Sequence, residues 1–223
     1  MGVSYCYALM QTGLAEEIVL TDLDREKLEG EVMDLSHGLP FVPPVEIRAG
    51  DYSDCSDAAL IVVTAGAKQK KGERRLDLIR KNSDIVSEIC ENINRYTSDA
   101  VLVMVTNPVD VLTYVAEEKL GWPRSRVFGS GTVLDSSRFR YMLGDHCGID
   151  TRNIHAYILG EHGDSEVAAW SMAHIAGVSI RDYCPSCGRC DFTRAHKEIE
   201  ERVRNSAYHI IDYKGATYYA IGL

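Results

Sequence analysis

The stretch Glu17-Ile18-Val19-Leu20-Thr21-Asp22 decides the fold, because it is an apolar strand pattern that ends in an acid. A helix pattern over Gly2–Gly13 precedes it, with apolar residues along one face. Gly2 stands 20 residues before Asp22. A glycine that opens a helix, followed about 20 residues later by an acid at the end of the next strand, is typical of a dinucleotide-binding fold.

On this interpretation Gly2 is the last glycine of a G-x-G-x-x-G turn, and the preceding strand and first two glycines are missing from the chain. The Asp22 carboxylate would accept hydrogen bonds from the adenosine ribose hydroxyls. Because a carboxylate there disfavours a 2′-phosphate, NAD is expected rather than NADP. An acid at a strand end is also a common turn cap, so one glycine and one aspartate leave a purely structural role open.

Short apolar runs alternate with helix patterns through the first part of the chain. Strands that are apolar on both faces and alternate with helices form a parallel sheet with helices on both faces. The sequence therefore predicts an α/β fold. The predicted strands are Glu17–Thr21, Val45–Ala49, Leu60–Thr64, Val101–Thr106 and Arg126–Gly129, and the predicted helices between them are Arg25–Leu35, Asp77–Asn94 and Val109–Leu120.

A second, mixed unit is predicted to begin near Ser130, because the regular alternation then stops. Asn153–Leu159 and Glu166–His174 are predicted strands, and Phe192–Tyr213 is a predicted long charged helix. We expect a dinucleotide-binding Rossmann domain over residues 1–129 that lacks its first strand. An incomplete α+β catalytic domain is expected over residues 130–223.

Composition excludes several classes of protein. The 223 residues carry 33 acidic and 24 basic side chains, a net charge of -9 that argues against nucleic-acid binding. No apolar run approaches the roughly 18 residues of a membrane span, and no Lys or Arg precedes Arg25 as in a secretory signal. Seven cysteines in a chain of this size favour reduced thiols in a cytoplasmic protein over a disulfide framework.

The spacing Cys184-x-x-Cys187-x-x-Cys190 could suggest a metal site. It lacks the second pair of ligands that makes a zinc-binding pattern convincing. We therefore predict an incidental or redox-sensitive loop before the long helix and assign no metal site.

Four motifs carry the chemistry. They are Gln69-Lys70-Lys71-Gly72-Glu73-Arg74-Arg75, Asn107-Pro108-Val109-Asp110, Leu134-Asp135-Ser136-Ser137-Arg138-Phe139 and Glu161-His162-Gly163-Asp164. Together, and in this order, they resemble the L-2-hydroxy-acid dehydrogenases, and within them the L-lactate dehydrogenase branch. The resemblance runs from Gly2 to the last residue, and malate dehydrogenases share the framework. It implies reversible reduction of pyruvate to L-lactate with NADH, in the cytoplasm, as a step of glycolysis and pyruvate fermentation.

His162 is the candidate proton donor. It lies between a predicted strand and a glycine, so its ring can reach a cleft, and the usual pKa of histidine suits a general acid near neutral pH. A histidine acid needs a carboxylate to hold its tautomer and stabilise the imidazolium. By resemblance this partner is Asp135; the sequence alone would make Asp135 an acid at a helix start.

Substrate-binding roles follow from the same resemblance. Arg138 lies three residues after Asp135, hence on the same helix face, and its guanidinium can clamp a carboxylate with two hydrogen bonds. Arg75 follows a polar, glycine-containing loop that can act as a lid, and would polarise the ketone oxygen on closure. Asn107 would bind substrate or the nicotinamide ribose, or simply cap the next helix.

Gln69 determines the expected substrate class. In the family this position carries Gln in lactate enzymes and Arg in malate enzymes, because a second substrate carboxylate needs a cation in a closed site. Lys71 and Arg74 stand where the family usually has a proline and a small hydroxyl residue. An extra cation there could admit diacids, so a malate or broader 2-hydroxy-acid dehydrogenase is the alternative.

Cofactor-binding positions also follow from the resemblance. Small residues at the end of the third predicted strand let the backbone approach the dinucleotide. Two positions near the end of the chain match sites close to the substrate and the nicotinamide, although a helix start and a buried apolar residue explain them equally well. Besides Gly2, Asp22 and Asn107, these cofactor and substrate positions are Lys27, Thr64, Ala65, Gly66, Thr217 and Ile221.

The resemblance implies two further properties. Arg140 and His155 match positions at which bacterial lactate dehydrogenases bind fructose 1,6-bisphosphate across a subunit interface, and phosphates need such cations. A homotetramer is implied as well. The chain is expected to be truncated at both ends and to stop inside a helix begun near Gly215. Without the phosphate-binding turn, a non-catalytic remnant that serves only as a structural or oligomer subunit is the other alternative.

Overall fold

A computed structural model describes residues 1–67, 72, 74–188 and 192–223. The chain forms two compact units, Met1–Gly129 with Tyr218–Leu223, and Ser130–Thr217. The last six residues, which the sequence analysis placed in the second domain, therefore pack with the first unit. No helix in the described part of the chain combines the length and apolar composition that crossing a membrane requires.

The first unit is built of parallel strands and helices in alternation, which confirms the predicted fold class. The first two strands of the chain pair in parallel, and the next three form a second parallel group in chain order. Element bounds differ from the prediction by only a few residues. The elements are α1 Gly2–Met10, β1 Glu17–Leu20, α2 Arg25–His37, β2 Glu46–Ala49, β3 Leu60–Val63, α3 Arg75–Asn94, β4 Val101–Met104, α4 Val109–Leu120 and β5 Val127–Gly129.

Local chemistry determines where these helices begin and end. The Asp24 carboxylate accepts a hydrogen bond from the backbone N–H of Lys27 and caps the N-terminus of α2. Gly121 adopts φ +66°, the left-handed conformation that ends α4. Between the strands and helices, Val86, Leu102 and Leu112 are fully buried, so α3, β4 and α4 share one core.

The second unit mixes short antiparallel strands with long helices. Its core contains Phe139 and Leu143 from one helix and Ile199 and Val203 from another. Of its five strands, the first, fourth and fifth form one antiparallel sheet, and the second and third form a hairpin. The elements are α5 Val133–Cys147, β6 Ile154–His155, β7 Ile158–Leu159, β8 Val167–Ala168, β9 His174–Ile175, β10 Val178–Ser179, α6 Ile180–Cys187 and α7 Phe192–Lys214.

The two long strands predicted for this unit were wrong. Asn153–Leu159 splits into β6 and β7, because β6 pairs with β9 and β7 pairs with β8 in a different sheet. Glu166–His174 is interrupted by a 3₁₀ turn at Trp170–Met172. The Trp170 ring packs edge-on against Phe139, and its indole N–H donates to Glu200, so side-chain packing overrides the strand pattern there.

Two other local predictions were wrong. No helix begins at Gly215; this glycine has φ +80° and ends α7, and only a 3₁₀ turn at Ala220–Gly222 follows. The Cys184 segment is not a loop, because Cys184 is buried in α6, which the Ser179 hydroxyl caps by accepting from the Asp182 N–H. Cys190 lies outside the described residues.

Candidate active site

The first turns of α5 place two charged side chains together. Asp135 lies in the first turn, and Arg138 follows three residues later on the same face. Arg138 Nη1 donates to Asp135 Oδ1 at 2.7 Å. The two side chains are only 3% and 12% exposed, so this ion pair is removed from most of the solvent.

The strand that precedes His162 is tied to the same end of α5. The Ile158 backbone N–H in β7 donates to Ser136 Oγ at 2.9 Å, and Thr132 Oγ1 donates to the Ile158 carbonyl at 2.7 Å. Because these bonds are partly or wholly buried, they hold β7 against the helix start that carries Asp135. The loop after β7 therefore emerges beside that carboxylate.

His162 lies in this loop and completes the arrangement. Its Nδ1 lies 2.5 Å from Asp135 Oδ2, so the ring nitrogen donates to the carboxylate. Gly160 at φ +92° and Gly163 at φ +133° allow the chain to turn on either side of the histidine. The His162 side chain is 24% exposed, which leaves part of the ring accessible from outside.

The pKa values of His162 and Asp135 are shifted in opposite directions: that of His162 is raised and that of Asp135 is lowered. The hydrogen bond to Asp135 is the main cause that raises the pKa of His162, against the effect of burial. Burial alone would raise the pKa of Asp135, but the hydrogen bond from His162 and the nearby charges of His162 and Arg138 lower it overall. Asp135 therefore stays ionised at neutral pH and favours a protonated imidazole beside it.

Glu166 is a member of this cluster that the sequence analysis missed. Its side chain is buried, and one carboxylate oxygen lies within 4.8 Å of a carboxylate oxygen of Asp135 and of a ring nitrogen of His162. Burial, followed by the charge of Asp135, raises the pKa of Glu166. The sequence signal is a glutamate four residues after His162, which the pattern of the predicted strand Glu166–His174 explains without a role in the site.

The composition of this cluster, two carboxyl groups and one imidazole, also resembles that of a metal site. Asp135, however, already accepts hydrogen bonds from His162 and from Arg138, whose guanidinium is positive. A cation would have to displace these donors and lie close to the Arg138 charge. The arrangement therefore suits proton transfer better than cation binding.

In the first unit, the carboxyl ends of β3 and β4 lie side by side because the two strands are parallel and in register. This places the segment Thr64–Ala67 next to Thr106 and Asn107. Thr106 Oγ1 donates to the Ala65 carbonyl at 2.8 Å. A Cβ on Gly66 would lie 2.3 Å from Thr106 Cγ2, so only glycine fits at this close approach of the two segments.

Asn82 from α3 joins these two strand ends and was also missed by the sequence analysis. It is buried, its Oδ1 accepts from the Ala67 N–H at 2.8 Å, and its Nδ2 donates to the Asn107 carbonyl at 3.0 Å. Asn107 itself precedes a cis peptide bond to Pro108 and has an exposed side chain. A buried amide thus fixes the backbone on both sides of the predicted cofactor positions.

The other cofactor positions predicted for the first unit lie at the start of α1, just after β1 and on α2. Gly2 is the first residue of α1 and lies against the end of β3. A Cβ on Gly2 would lie 2.9 Å from Thr64 Oγ1, so the two segments are in close contact. Asp22 is exposed just after β1, and its Oδ1 accepts from the Asp24 N–H at 3.1 Å, which orients the carboxylate. Lys27 is exposed on α2.

Ile221 is half-buried in the terminal 3₁₀ turn, which packs against α1. Thr217 is half-buried at the end of the second unit.

Of the loop residues, Arg75 is the first residue of α3, and Gln69 lies outside the described residues. The two predicted effector residues both belong to the second unit. Arg140 is half-buried on α5, where its Nε donates to the Ser136 carbonyl at 3.3 Å, and His155 is exposed in β6.

Comparison with known proteins agrees with this geometry. Residues 1–129 match the family model of the lactate/malate dehydrogenase NAD-binding domain, and residues 132–223 match that of the lactate/malate dehydrogenase α/β C-terminal domain. The chain belongs to the lactate/malate dehydrogenase family. It is therefore an NAD-dependent oxidoreductase, as the resemblance of its motifs implied.

Relatives within this family are similar over the whole chain. This chain is 52% identical to L-lactate dehydrogenase of Acetivibrio thermocellus and 54% identical to L-lactate dehydrogenase 1 of Clostridium acetobutylicum. The matches include all of this chain and cover 70% and 71% of the lengths of these two relatives. A lactate dehydrogenase from a Medee basin deep-sea metagenome superposes with a TM-score of 0.95 at 48% identity, over 99% of this chain and 70% of that one. The minor L-lactate dehydrogenase of Enterococcus mundtii superposes with a TM-score of 0.96 at 43% identity, over 100% of this chain and 71% of that one.

Proposed function

We propose that the chain catalyses the reversible NADH-dependent reduction of pyruvate to L-lactate. The observation that carries this proposal is the buried Asp135 carboxylate, which holds His162 on one oxygen and Arg138 on the other. A general acid and a carboxylate clamp beside one another are what reduction of a 2-oxo acid requires. The relatives' names support the same reaction.

The proton moves through His162. The cofactor, held by the first unit, would supply the hydride for the keto carbon. His162 then donates a proton from Nε2 to the keto oxygen, while its Nδ1–H stays bonded to Asp135. Asp135 fixes the tautomer and stabilises the imidazolium before transfer. In lactate oxidation the same ring accepts the proton.

Arg138 binds the substrate carboxylate. Arg138 carries five N–H donors, and Asp135 accepts from one of them, so the guanidinium can also offer a two-pronged clamp to a carboxylate. Arg75 polarises the ketone oxygen, and the uncharged Gln69 favours a substrate with a single carboxylate. Asn107 contributes its exposed amide to the substrate or the nicotinamide ribose, and Thr217 lies near the substrate.

The first unit holds the cofactor. Asp22 binds the adenosine ribose, with Lys27 nearby along the chain on α2. The small residues at the end of β3 let the backbone approach the dinucleotide, and Gly2 does the same at the start of α1. This assigns Gly2, Asp22, Lys27, Thr64, Ala65, Gly66, Asn107 and Ile221 to cofactor binding.

Substrate choice tests the proposal against the malate alternative. Arg74, one of the two extra cations that follow Gln69 in the sequence, donates from Nε and Nη2 to the Asp77 carboxylate at 2.8 and 2.9 Å, so its charge is already paired. We expect kcat/KM for pyruvate to exceed that for oxaloacetate, measured by NADH consumption. A preference for oxaloacetate would establish the malate alternative, and turnover of neither substrate by a chain that binds NADH would favour the remnant.

We further propose an effector site and an assembly. Arg140 and His155 supply the cations for fructose 1,6-bisphosphate, and the family resemblance supports a homotetramer. Pyruvate saturation curves with and without the bisphosphate, and the sedimentation mass of the chain, test these two points. A saturation curve unchanged by the bisphosphate, or a monomeric mass, would contradict them.

A cytoplasmic role in glycolysis and pyruvate fermentation completes the proposal. Cys6, Cys55, Cys90, Cys147 and Cys184 carry thiols rather than disulfides, which suits a reducing compartment.

A further inference from the structure

A second carboxyl group beside His162 has no role in the reaction described above. Glu166 ends the loop that carries His162 and directly precedes β8. Its backbone N–H donates to the Gly163 carbonyl at 3.1 Å, which closes the turn. Its side chain is only 7% exposed, so the carboxyl group points into the unit rather than into solvent.

The surroundings of Glu166 contain both signs of charge. Asp135 and Arg138 face it from α5, His162 from its own loop and Arg204 from α7. Burial and the Asp135 charge favour its protonated form, whereas His162, Arg204 and Arg138 favour the ionised form. One carboxylate oxygen of Asp135, one of Glu166 and one ring nitrogen of His162 lie within 4.8 Å of one another. A change of charge on one of these groups therefore shifts the titration of the other two.

The two carboxyl groups cannot have the same role. Asp135 accepts the Nδ1–H of His162 and the bond from Arg138, so it is already committed to orienting the ring. When it is ionised, Glu166 adds a second negative charge close to the same ring without that hydrogen bond. A second anion in a partly desolvated site stabilises an imidazolium more than one anion alone.

We propose that Glu166 is a positioning residue that acts through His162, holding the ring in its protonated form so that the proton donor persists at higher pH. The inference rests on the proposed role of His162 as the general acid. It assigns Glu166 no contact with the substrate. The acid at position 166 thus determines the pH range of ketone reduction rather than its maximal rate.

The test compares Glu166→Gln with Glu161→Gln in the full chain. Glu161 lies in the same loop, but its side chain is exposed and accepts a hydrogen bond from Ser165 Oγ. The control therefore removes the same charge without changing the cluster of Asp135, His162 and Glu166. We expect Glu166→Gln to move the alkaline limb of the kcat profile for pyruvate reduction down by about one pH unit, a rate loss of about tenfold on that limb. At acidic pH its rate should match the wild type, Glu161→Gln should leave the whole profile in place, and Glu166→Asp should restore most of it.

A direct titration separates this inference from the proposed function. The NMR titration of the His162 ring in the chain without substrate should shift to lower pH by about the same amount in Glu166→Gln. In the wild type, the carboxyl carbon of Glu166 should respond at the pH at which His162 loses its proton, a readout that needs no variant to fold. Unchanged His162 titration in Glu166→Gln, or no such response in the wild type, overturns the inference whether or not pyruvate is reduced. Turnover retained in a His162 variant, with the titration shifted as expected, overturns instead the role of His162 as the general acid, on which the inference rests.

Discussion

At the scale of single residues, Asp135 organises the chemistry of the second unit. One carboxylate oxygen accepts from Arg138 and the other from His162, both at hydrogen-bond distance and almost without exposure to solvent. Removing one partner of a buried ion pair leaves the other charge buried and unpaired, which costs more free energy than losing an ion pair on the surface. Substitutions here should therefore affect both catalysis and the pH dependence of stability.

Replacing His162 by Gln should remove the proton donor while keeping a polar side chain. Pyruvate reduction should fall by roughly 10²- to 10⁴-fold in kcat, because general acid catalysis contributes about that much. His209→Gln makes the same replacement at an exposed position on α7 and should have wild-type turnover. Steady-state kinetics on both variants check this, and near-normal turnover of His162→Gln would exclude the histidine as the acid.

The Asp135–His162 pair should add stability only within a window of pH. The pKa of Asp135 is lowered on folding, so its contribution is present above the ordinary value of 3.8 and is lost as pH falls through the lowered value. The pKa of His162 is raised, so its contribution is present below the ordinary value of 6.5 and is lost as pH rises through the raised value. Urea unfolding of wild type and Asp135→Asn should therefore differ most between these two values, and a difference independent of pH would contradict the pairing.

At the scale of elements, the predicted cofactor edge depends on how closely β3 and β4 approach at their carboxyl ends. Parallel register brings Thr64–Ala67 beside Thr106 and Asn107, and Asn82 from α3 bonds to both segments. The glycine at position 66 is required by this packing rather than by its backbone angles, because a Cβ would collide with Thr106.

Gly66→Ala should destabilise the protein by about 1–3 kcal/mol, because its Cβ would lie 2.3 Å from Thr106 Cγ2 and the strand ends would have to separate. Gly30→Ala is the matched control. Gly30 lies within α2 with nothing within 4 Å of the added methyl group, so alanine should stabilise this helix by up to about 1 kcal/mol. Equal free energies of unfolding for the two variants would show that β3 and β4 are not in close contact at this point.

At the scale of the whole molecule, each unit brings together residues that are distant in sequence. In the first unit, β1 ends beside Asp22, α1 begins at Gly2 against β3, and the terminal turn with Ile221 packs on α1. In the second unit, Asp135 of α5 bonds to His162 of the β7–β8 loop, and Arg204 of α7 acts on Glu166. The whole chain has a net charge of -9, but single cationic side chains such as Arg138 and Arg140 are proposed to bind the anionic substrate and effector.

NADH binding by the full 223-residue chain tests the first unit as a whole. We expect saturable binding, monitored by nucleotide fluorescence, and about 10- to 100-fold weaker binding by Asp22→Ala, which loses charge-assisted hydrogen bonds to the ribose. Asp57→Ala removes an exposed acid from the same unit and should bind like wild type. Equal affinities in the two variants would remove Asp22 from the cofactor site.

The amino-acid sequence by itself determined the alternation of strands and helices in the first unit, because apolar runs and turn residues are local signals. It also pointed to the family, since four separated motifs occur in the right order. Only the tertiary structure decided the rest. The strands of the second unit are two residues long and pair in different sheets, so no local pattern reveals them. Glu166 and Asn82 owe their importance to burial beside groups from other elements, and burial by distant segments is not visible in a single sequence.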